Sequence, residues 1–194
     1  MAYQVILGII AAAIGAGGFI PYLQDILKKR TKPHAFSWFI WGVIQVAVFF
    51  AQLSKGGGAG AWLTGAGALG CLAIFAIALP RGEKEITGLD KACLFSALFG
   101  MALWAITSDP LGTVIIAALV DALGFVPTFR KAYKKPMEET LKTYAMNVIS
   151  FSISLFALQA LNYTTAIYPA SLVLTNGLFV AMVMIRRRRK QHGL

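Results

Sequence analysis

The chain has 194 residues, of which 58% are hydrophobic and 13% charged, and its mean hydropathy is +0.70. A soluble domain of this size would lack the polar surface to cover its core, so composition points to an integral membrane protein. The formal charge of +10 raises nucleic acid as a partner, but basic residues flanking apolar runs are explained by membrane topology, and no nucleic acid partner is expected. Cys71 and Cys93 lie within apolar runs as small hydrophobes, and His34 and His192 stand far apart, so neither a disulfide, a metal nor any other cofactor is expected.

About 20 apolar residues cross the hydrocarbon core, and seven segments meet or approach that length: 4–27, 37–54, 61–80, 91–107, 110–129, 143–161 and 165–185. The first contains AAAIGAGG, which looks like a cleavage region. No basic residue precedes the apolar run, so it reads as a helix of the mature protein. It ends with Pro21 and with Asp25, a carboxylate beside Lys28 and Lys29 that can pair with them. In the second span Trp38, Trp41, Gln45, Val48 and Gln52 recur at intervals of three and four and share one helix face. Trp38 lies just inside the inner boundary and is expected in an interfacial aromatic belt. Trp41 and Gln45, a turn or more deeper, are candidates for lining a solute pathway, because a buried amide is costly unless paired or wetted.

The third span carries GAGALG at 65–70, read as a surface for close backbone packing. The fourth is the shortest. The fifth reads IIAALVDALGFVP over 115–127 and places Asp121 about eleven residues into the span, near the bilayer centre. A charged carboxylate there costs roughly 2.5–3.5 kcal/mol on insertion scales, so Asp121 must be neutral, paired or beside water. Asn147 and Asn176 are the partners expected for it if it is a helix-to-helix bond; the sharper reading is a carboxyl that binds a proton or substrate. The sixth span aligns Tyr144, Asn147 and Ser150 on one face, and the seventh carries Asn176 near its centre before the tail RRRRK, read as an anchor on anionic headgroups. Asn162-Tyr163-Thr164 matches a glycosylation sequon in a loop too short to leave the membrane surface, and is treated as chance.

With seven spans, one side receives 17 of the 18 basic residues and the other only Lys55. The positive-inside rule then puts the N-terminus outside and the C-terminus in the cytoplasm.

Adding 106 to a residue number aligns the first three spans with the last three without a gap. Gly18, Phe19 and Pro21 meet Gly124, Phe125 and Pro127; Lys28 and Lys29 meet Lys134 and Lys135; Trp38 meets Tyr144. Each match alone is weak, but a constant offset through three spans and two loops is a strong sign of duplication. The expected organisation is a first three-helix repeat over 1–86, a linker with the fourth helix over 87–109, and a second repeat with its basic tail over 110–194. Both repeats run in the same direction through the membrane, an arrangement known among secondary transporters. Two positions break the symmetry in charge: Gly15 aligns with Asp121, and Asp25 aligns with Lys131, which suggests a cytoplasmic gate bridging Asp25 and Lys131.

In this 3+1+3 plan, and in the proline that ends the first span of each repeat in GFIP and GFVP, nearly the whole chain resembles the SWEET, MtN3/saliva and PQ-loop transporters. Tyr22 and Thr128 follow the prolines where PQ-loop proteins have glutamine. The resemblance implies two three-helix bundles with a solute route between them, substrate contact at Asn176, and Pro21 and Pro127 near a hinge or inner gate. It implies a small polar solute, a sugar first. The alternatives are proton-coupled carriage of an amino acid or other small metabolite, with Asp121 as the coupling group, and a non-transporting receptor of the same plan. An enzyme is not expected, since no nucleophile set, metal cluster or phosphate loop stands out. The lipid bilayer is the obligatory partner, a homo-oligomer is compatible with the sequence, and a bacterial cytoplasmic (inner) membrane is the expected location.

Overall fold

The computed structural model describes residues 2–107 and 109–191, without the side chains of 100, 101, 103–107 and 191. Seven α-helices follow one another: α1 (Ala2–Leu27), α2 (Ala35–Ser54), α3 (Trp62–Arg81), α4 (Gly88–Thr107), α5 (Pro110–Lys134), α6 (Leu141–Ala157) and α7 (Tyr163–Gln191). Short 3-10 turns at Gly58–Ala61 and Pro136–Glu138 lead into α3 and α6. Local chemistry sets several of these ends. Asp109 caps α5 by accepting from Gly112 N at 2.6 Å, with Pro110 at the first helical position, where its missing N–H costs nothing. Asn162 Oδ1 accepts from Thr165 N at 3.1 Å, so the sequon asparagine serves as the cap of α7.

Among the described residues, five segments are long and apolar enough to cross a membrane: Ala2–Leu27, Ala35–Ser54, Gly58–Arg81, Pro110–Lys134 and Tyr163–Lys190. The expected span 143–161 is not among them, and the second half of 91–107 lies largely outside the residues whose side chains are described. The sixth segment is shorter than its sequence suggests because the chain turns extended at Leu158, leaving α6 with 17 residues. The surface is apolar in the manner of a lipid-facing protein: Leu69, Phe95, Phe99, Phe156 and Leu174 are all exposed. Gln45, Gln52, Asp121, Ser150 and Asn176 are buried instead. Apolar outside and polar within is the inverse of a soluble domain.

The packing follows the 106-residue offset. α3 packs against α1 and α2, and α7 in the same way against α5 and α6; across the halves α1 lies along α6 and α2 along α5. Exchanging each helix for its offset counterpart leaves this pattern unchanged, as a two-fold relation requires. The buried stripe agrees residue by residue. Gly8, Ala11, Gly15, Gly18 and Tyr22 of α1 are buried, and so are Val114, Ala117, Asp121, Gly124 and Thr128 of α5. Small residues let the helices approach closely: a methyl on Gly8 would stand 2.7 Å from the Ala59 carbonyl oxygen. The helix α4 stands outside this relation, packed mainly on α5.

Candidate functional site

Where the six helices of the two-fold relation meet, a cavity of about 30 Å³ lies between the halves. Five offset pairs line it: Gly15 and Asp121, Phe19 and Phe125, Trp38 and Tyr144, Trp41 and Asn147, Gln45 and Phe151. A cavity with both members of five pairs in its wall sits on the axis of the duplication. The volume holds a water or two, whereas drug-sized ligands occupy pockets of roughly 300–1,000 Å³. The conformation is therefore closed at this level.

All five candidate substrate residues, Trp41, Gln45, Asp121, Asn147 and Asn176, reach this one cavity. They come from α2, α5, α6 and α7. Their hydrogen bonds differ from the sequence expectation, because Asp121 bonds to neither asparagine. Tyr168 OH donates to Asp121 Oδ1 at 3.2 Å, and the Trp41 indole N–H donates to the Asp121 backbone oxygen at 3.3 Å. Asn147 Nδ2 donates to Asn176 Oδ1 at 3.3 Å, and Asn176 Nδ2 donates back along its own helix to Leu172 O at 2.8 Å. Gln45 Nε2 donates to Cys71 Sγ at 3.3 Å. Two oxygens of the cavity wall are left without a partner, Asp121 Oδ2 and Gln45 Oε1, on side chains that are 1% and 6% exposed. Buried acceptors without a partner are uncommon in folded proteins.

The third-span glycines have a different use from the one expected. A methyl on Gly67 would fall 2.1 Å from Gln45 Oε1, on Gly70 2.4 Å from the Phe19 ring, and on Gly65 3.0 Å from the Phe49 ring. They make room for side chains entering from α1 and α2, with the amide of Gln45 among them.

Trp38 and Tyr144 do not form an interfacial belt. They are 3% and 1% exposed and close the end of the cavity toward the loops at 28–34 and 135–140. Trp38 packs against Tyr22 with ring centroids 4.8 Å apart, and its indole N–H donates to Tyr22 OH at 3.3 Å. Tyr22 and Tyr144 both donate to Glu139 Oε2, at 3.3 and 3.4 Å. Glu139 in turn pairs with Lys131, Nζ to Oε1, at 2.6 Å, with both side chains out of reach of water. The Lys131 ammonium also donates to the Glu138 carbonyl at 2.9 Å and to the Lys32 carbonyl. Aromatic rings, then a buried ion pair, thus seal the cavity from the loops at 28–34 and 135–140.

The expected bridge between Asp25 and Lys131 is absent, since Glu139 lies nearer to the ammonium. Asp25 Oδ2 accepts from Thr140 Oγ1 at 2.8 Å, and Thr140 lies 2.7 Å from Thr31 across the halves. Among the described residues Asp25 forms no ion pair with Lys28 or Lys29. Pro21 and Pro127 both lie inside their helices, one turn from this seal. Beside them Thr143 Oγ1 donates to Gly18 O at 2.8 Å, and Ser37, the offset counterpart of Thr143, accepts from Thr128 Oγ1 at 3.0 Å.

The basic tail is more than an anchor. α7 continues to Gln191 because its cations satisfy carbonyls at the end of α5 and in the next loop. Arg186 donates to Tyr133 O, Arg187 to Pro136 O and Glu139 O, and Lys190 to Lys134 O. Arg187 therefore holds the loop that carries Glu139.

A second polar cluster joins the linker to both halves at the same end. Arg130 reaches Asp90 through two nitrogens, at 3.1 and 2.7 Å, and His34 Nε2 lies 3.6 Å from the same carboxylate. Burial works against the charge on Asp90, but the Thr87 amide, the Arg130 guanidinium and the Thr87 hydroxyl outweigh it and hold the carboxyl below its usual range. Burial pushes the His34 imidazole down, against the pull of Asp90.

Sequence reasoning missed Tyr22, Glu139, Cys71 and Tyr168. The signal for Tyr22 was present, since it continues the stripe Gly8, Ala11, Gly15, Gly18 at the same spacing. No family model, curated protein or solved structure matches this chain.

Proposed function

We propose that the protein is a membrane transporter for a small polar solute, working by alternating access between two three-helix bundles. The observation that carries this reading is the closed polar cavity on the duplication axis, bounded by equivalent residues of both halves. A site shared by two like halves is exposed to one side or the other as the halves rock, which is the logic of repeat-built carriers. In the orientation from the charge bias, the N-terminus is outside and the Lys131–Glu139 seal is the cytoplasmic gate, with Pro21 and Pro127 as hinge positions beside it. The resemblance to SWEET and PQ-loop carriers supports the same reading and suggests a sugar. A proton-coupled carrier is the second reading, favoured by the unpartnered oxygen of Asp121 inside the cavity.

Uptake of labelled sugars and amino acids into proteoliposomes, with and without an imposed pH gradient, tests both. Accumulation above protein-free vesicles supports transport. No uptake of any solute shifts the weight to a receptor of the same plan. Uptake unchanged by the gradient and by Asp121→Asn removes the proton role. Orientation is checked by labelling single cysteines in intact cells of a Cys71→Ser, Cys93→Ala background: Lys55→Cys should react with an impermeant maleimide and Lys84→Cys should not.

A further inference from the structure

The cavity wall combines one carboxyl group with aromatic rings. Its donor nitrogens already have partners: Trp41 on the Asp121 backbone, Gln45 on Cys71, Asn147 on Asn176 and Asn176 on Leu172. The buried wall atoms with no partner at all are both acceptors, Asp121 Oδ2 and Gln45 Oε1, while the amide nitrogens of Gln45, Asn147 and Asn176 each keep a second N–H. None of the described lining residues is a lysine, arginine or histidine. The walls are aromatic, with the Trp41 and Phe125 rings 4.6 Å apart and Trp38 meeting Trp41 edge-on at 5.2 Å. A sugar is uncharged and would leave the buried carboxylate without a counter-charge, which is costly. An ammonium group donates only, carries the charge that complements a carboxylate, and is attracted to aromatic faces.

Resting on the transporter reading above, we propose that the solute is a small organic cation with a protonated amine, held by Asp121 Oδ2 and Gln45 Oε1 against the aromatic wall, in competition with a proton on Asp121. The titratable groups facing Asp121 are Tyr168 from α7 and Cys71 from α3; α2 presents Trp41 and Gln45, which do not titrate. Asp90 and Cys93 of α4 interact with each other, and Asp90 with His34 and Arg130, in the cluster at the inner end. One ammonium leaves as one proton binds, so charge balances across the exchange. An inside-acid gradient then drives amine uptake, the vesicle proton leaving as the ammonium enters.

The probes are putrescine, ethanolamine and glucose, in two assays. The first is the thermal shift of purified full-length protein in detergent. The amines are expected to stabilise it, glucose is not, and acidification weakens amine affinity by up to about tenfold per pH unit. Asp121→Asn keeps the acceptor for Tyr168 and is expected to fold, yet to weaken amine binding by about ten- to a hundredfold; Asp121→Glu retains binding. The second assay is uptake of labelled putrescine and glucose by proteoliposomes under an inside-acid gradient, with protein-free vesicles subtracted to remove passive weak-base accumulation. Glucose binding or uptake without amine binding overturns the inference and leaves the transporter reading standing. Amine binding without uptake of either solute upholds the inference and overturns that reading. Amine affinity unchanged in Asp121→Asn, or no amine binding at all, overturns the inference.

Discussion

Removing one partner of the Lys131–Glu139 pair tests whether the seal at this end of the cavity is ionic in substance. The two charges are 2.6 Å apart and both side chains are about 1% accessible, so their attraction is about 6 kcal/mol at an effective dielectric of about 20. Desolvation of two ions, at several kcal/mol each, offsets most of that. Lys131→Met leaves Glu139 charged in a closed space and strips the donor from the Lys32 and Glu138 carbonyls. Glu139→Gln keeps an acceptor for Tyr22 and Tyr144 but leaves the ammonium without its counter-charge. Each single change is expected to cost about 3–5 kcal/mol. The double variant, with neither charge, should return to within about 1–2 kcal/mol of the parent, a coupling far above the roughly 0.5 kcal/mol within which independent sites add. Thermal or denaturant unfolding in detergent measures the cycle. Two single losses that simply add would refute the account of the seal as one interdependent unit.

Three further changes separate packing from function. Gly67→Ala places a methyl against the far end of the Gln45 side chain and fills the cavity; it should abolish solute uptake with a loss of stability under about 2 kcal/mol. Gly8→Ala meets the backbone at Ala59 instead, and should cost about 1–3 kcal/mol in unfolding measurements. Arg187→Ala removes donors from the Pro136 and Glu139 carbonyls, and trypsin or hydrogen exchange should find the 135–140 loop more open while α1 to α3 are unchanged. His34 gives a dependence on pH. Its folded-state pKa is depressed by burial, so stability is full above the unfolded value of about 6.5 and is lost as pH falls through that value. Melting temperature should drop between about pH 7 and 5.5 in the parent, and the slope should flatten in His34→Gln. Asp90, held low mainly by Thr87 and Arg130, adds a separate loss only as pH falls below about 4.

Much of the interior could be read from the chain because duplication and helical period leave linear traces. The 106 offset located both copies of the cavity wall, and polar side chains in an apolar context located Trp41, Gln45, Asp121, Asn147 and Asn176. The buried face of a helix was legible in its middle, but the direction of side chains near its end was not. Trp38 and Tyr144 stand where aromatic residues commonly face lipid headgroups, and only tertiary packing turns them inward onto Tyr22 and Phe179. Partners at long separation were illegible for the same reason. Lys131 has its offset counterpart in Asp25 and its ion-pair partner in Glu139, eight residues on, because the 3-10 turn Pro136–Glu138 folds the loop back under α5. The tail reads from sequence as a headgroup anchor, because composition records charge and not the carbonyls that receive it.

The pairing of Gly15 with Asp121 on one cavity wall bears on why the two halves share a chain. Two identical three-helix subunits would place any axial residue twice, so a carboxyl at this level would face its own copy across the axis. Like carboxyls in so small a space cannot both ionise, and one proton would be retained at all times. Joining the copies removes that constraint, because each position can diverge while the scaffold keeps its symmetry. Of the five pairs around the cavity only Phe19 and Phe125 remain identical. The linker helix thus allows an odd number of charges on an even-handed frame.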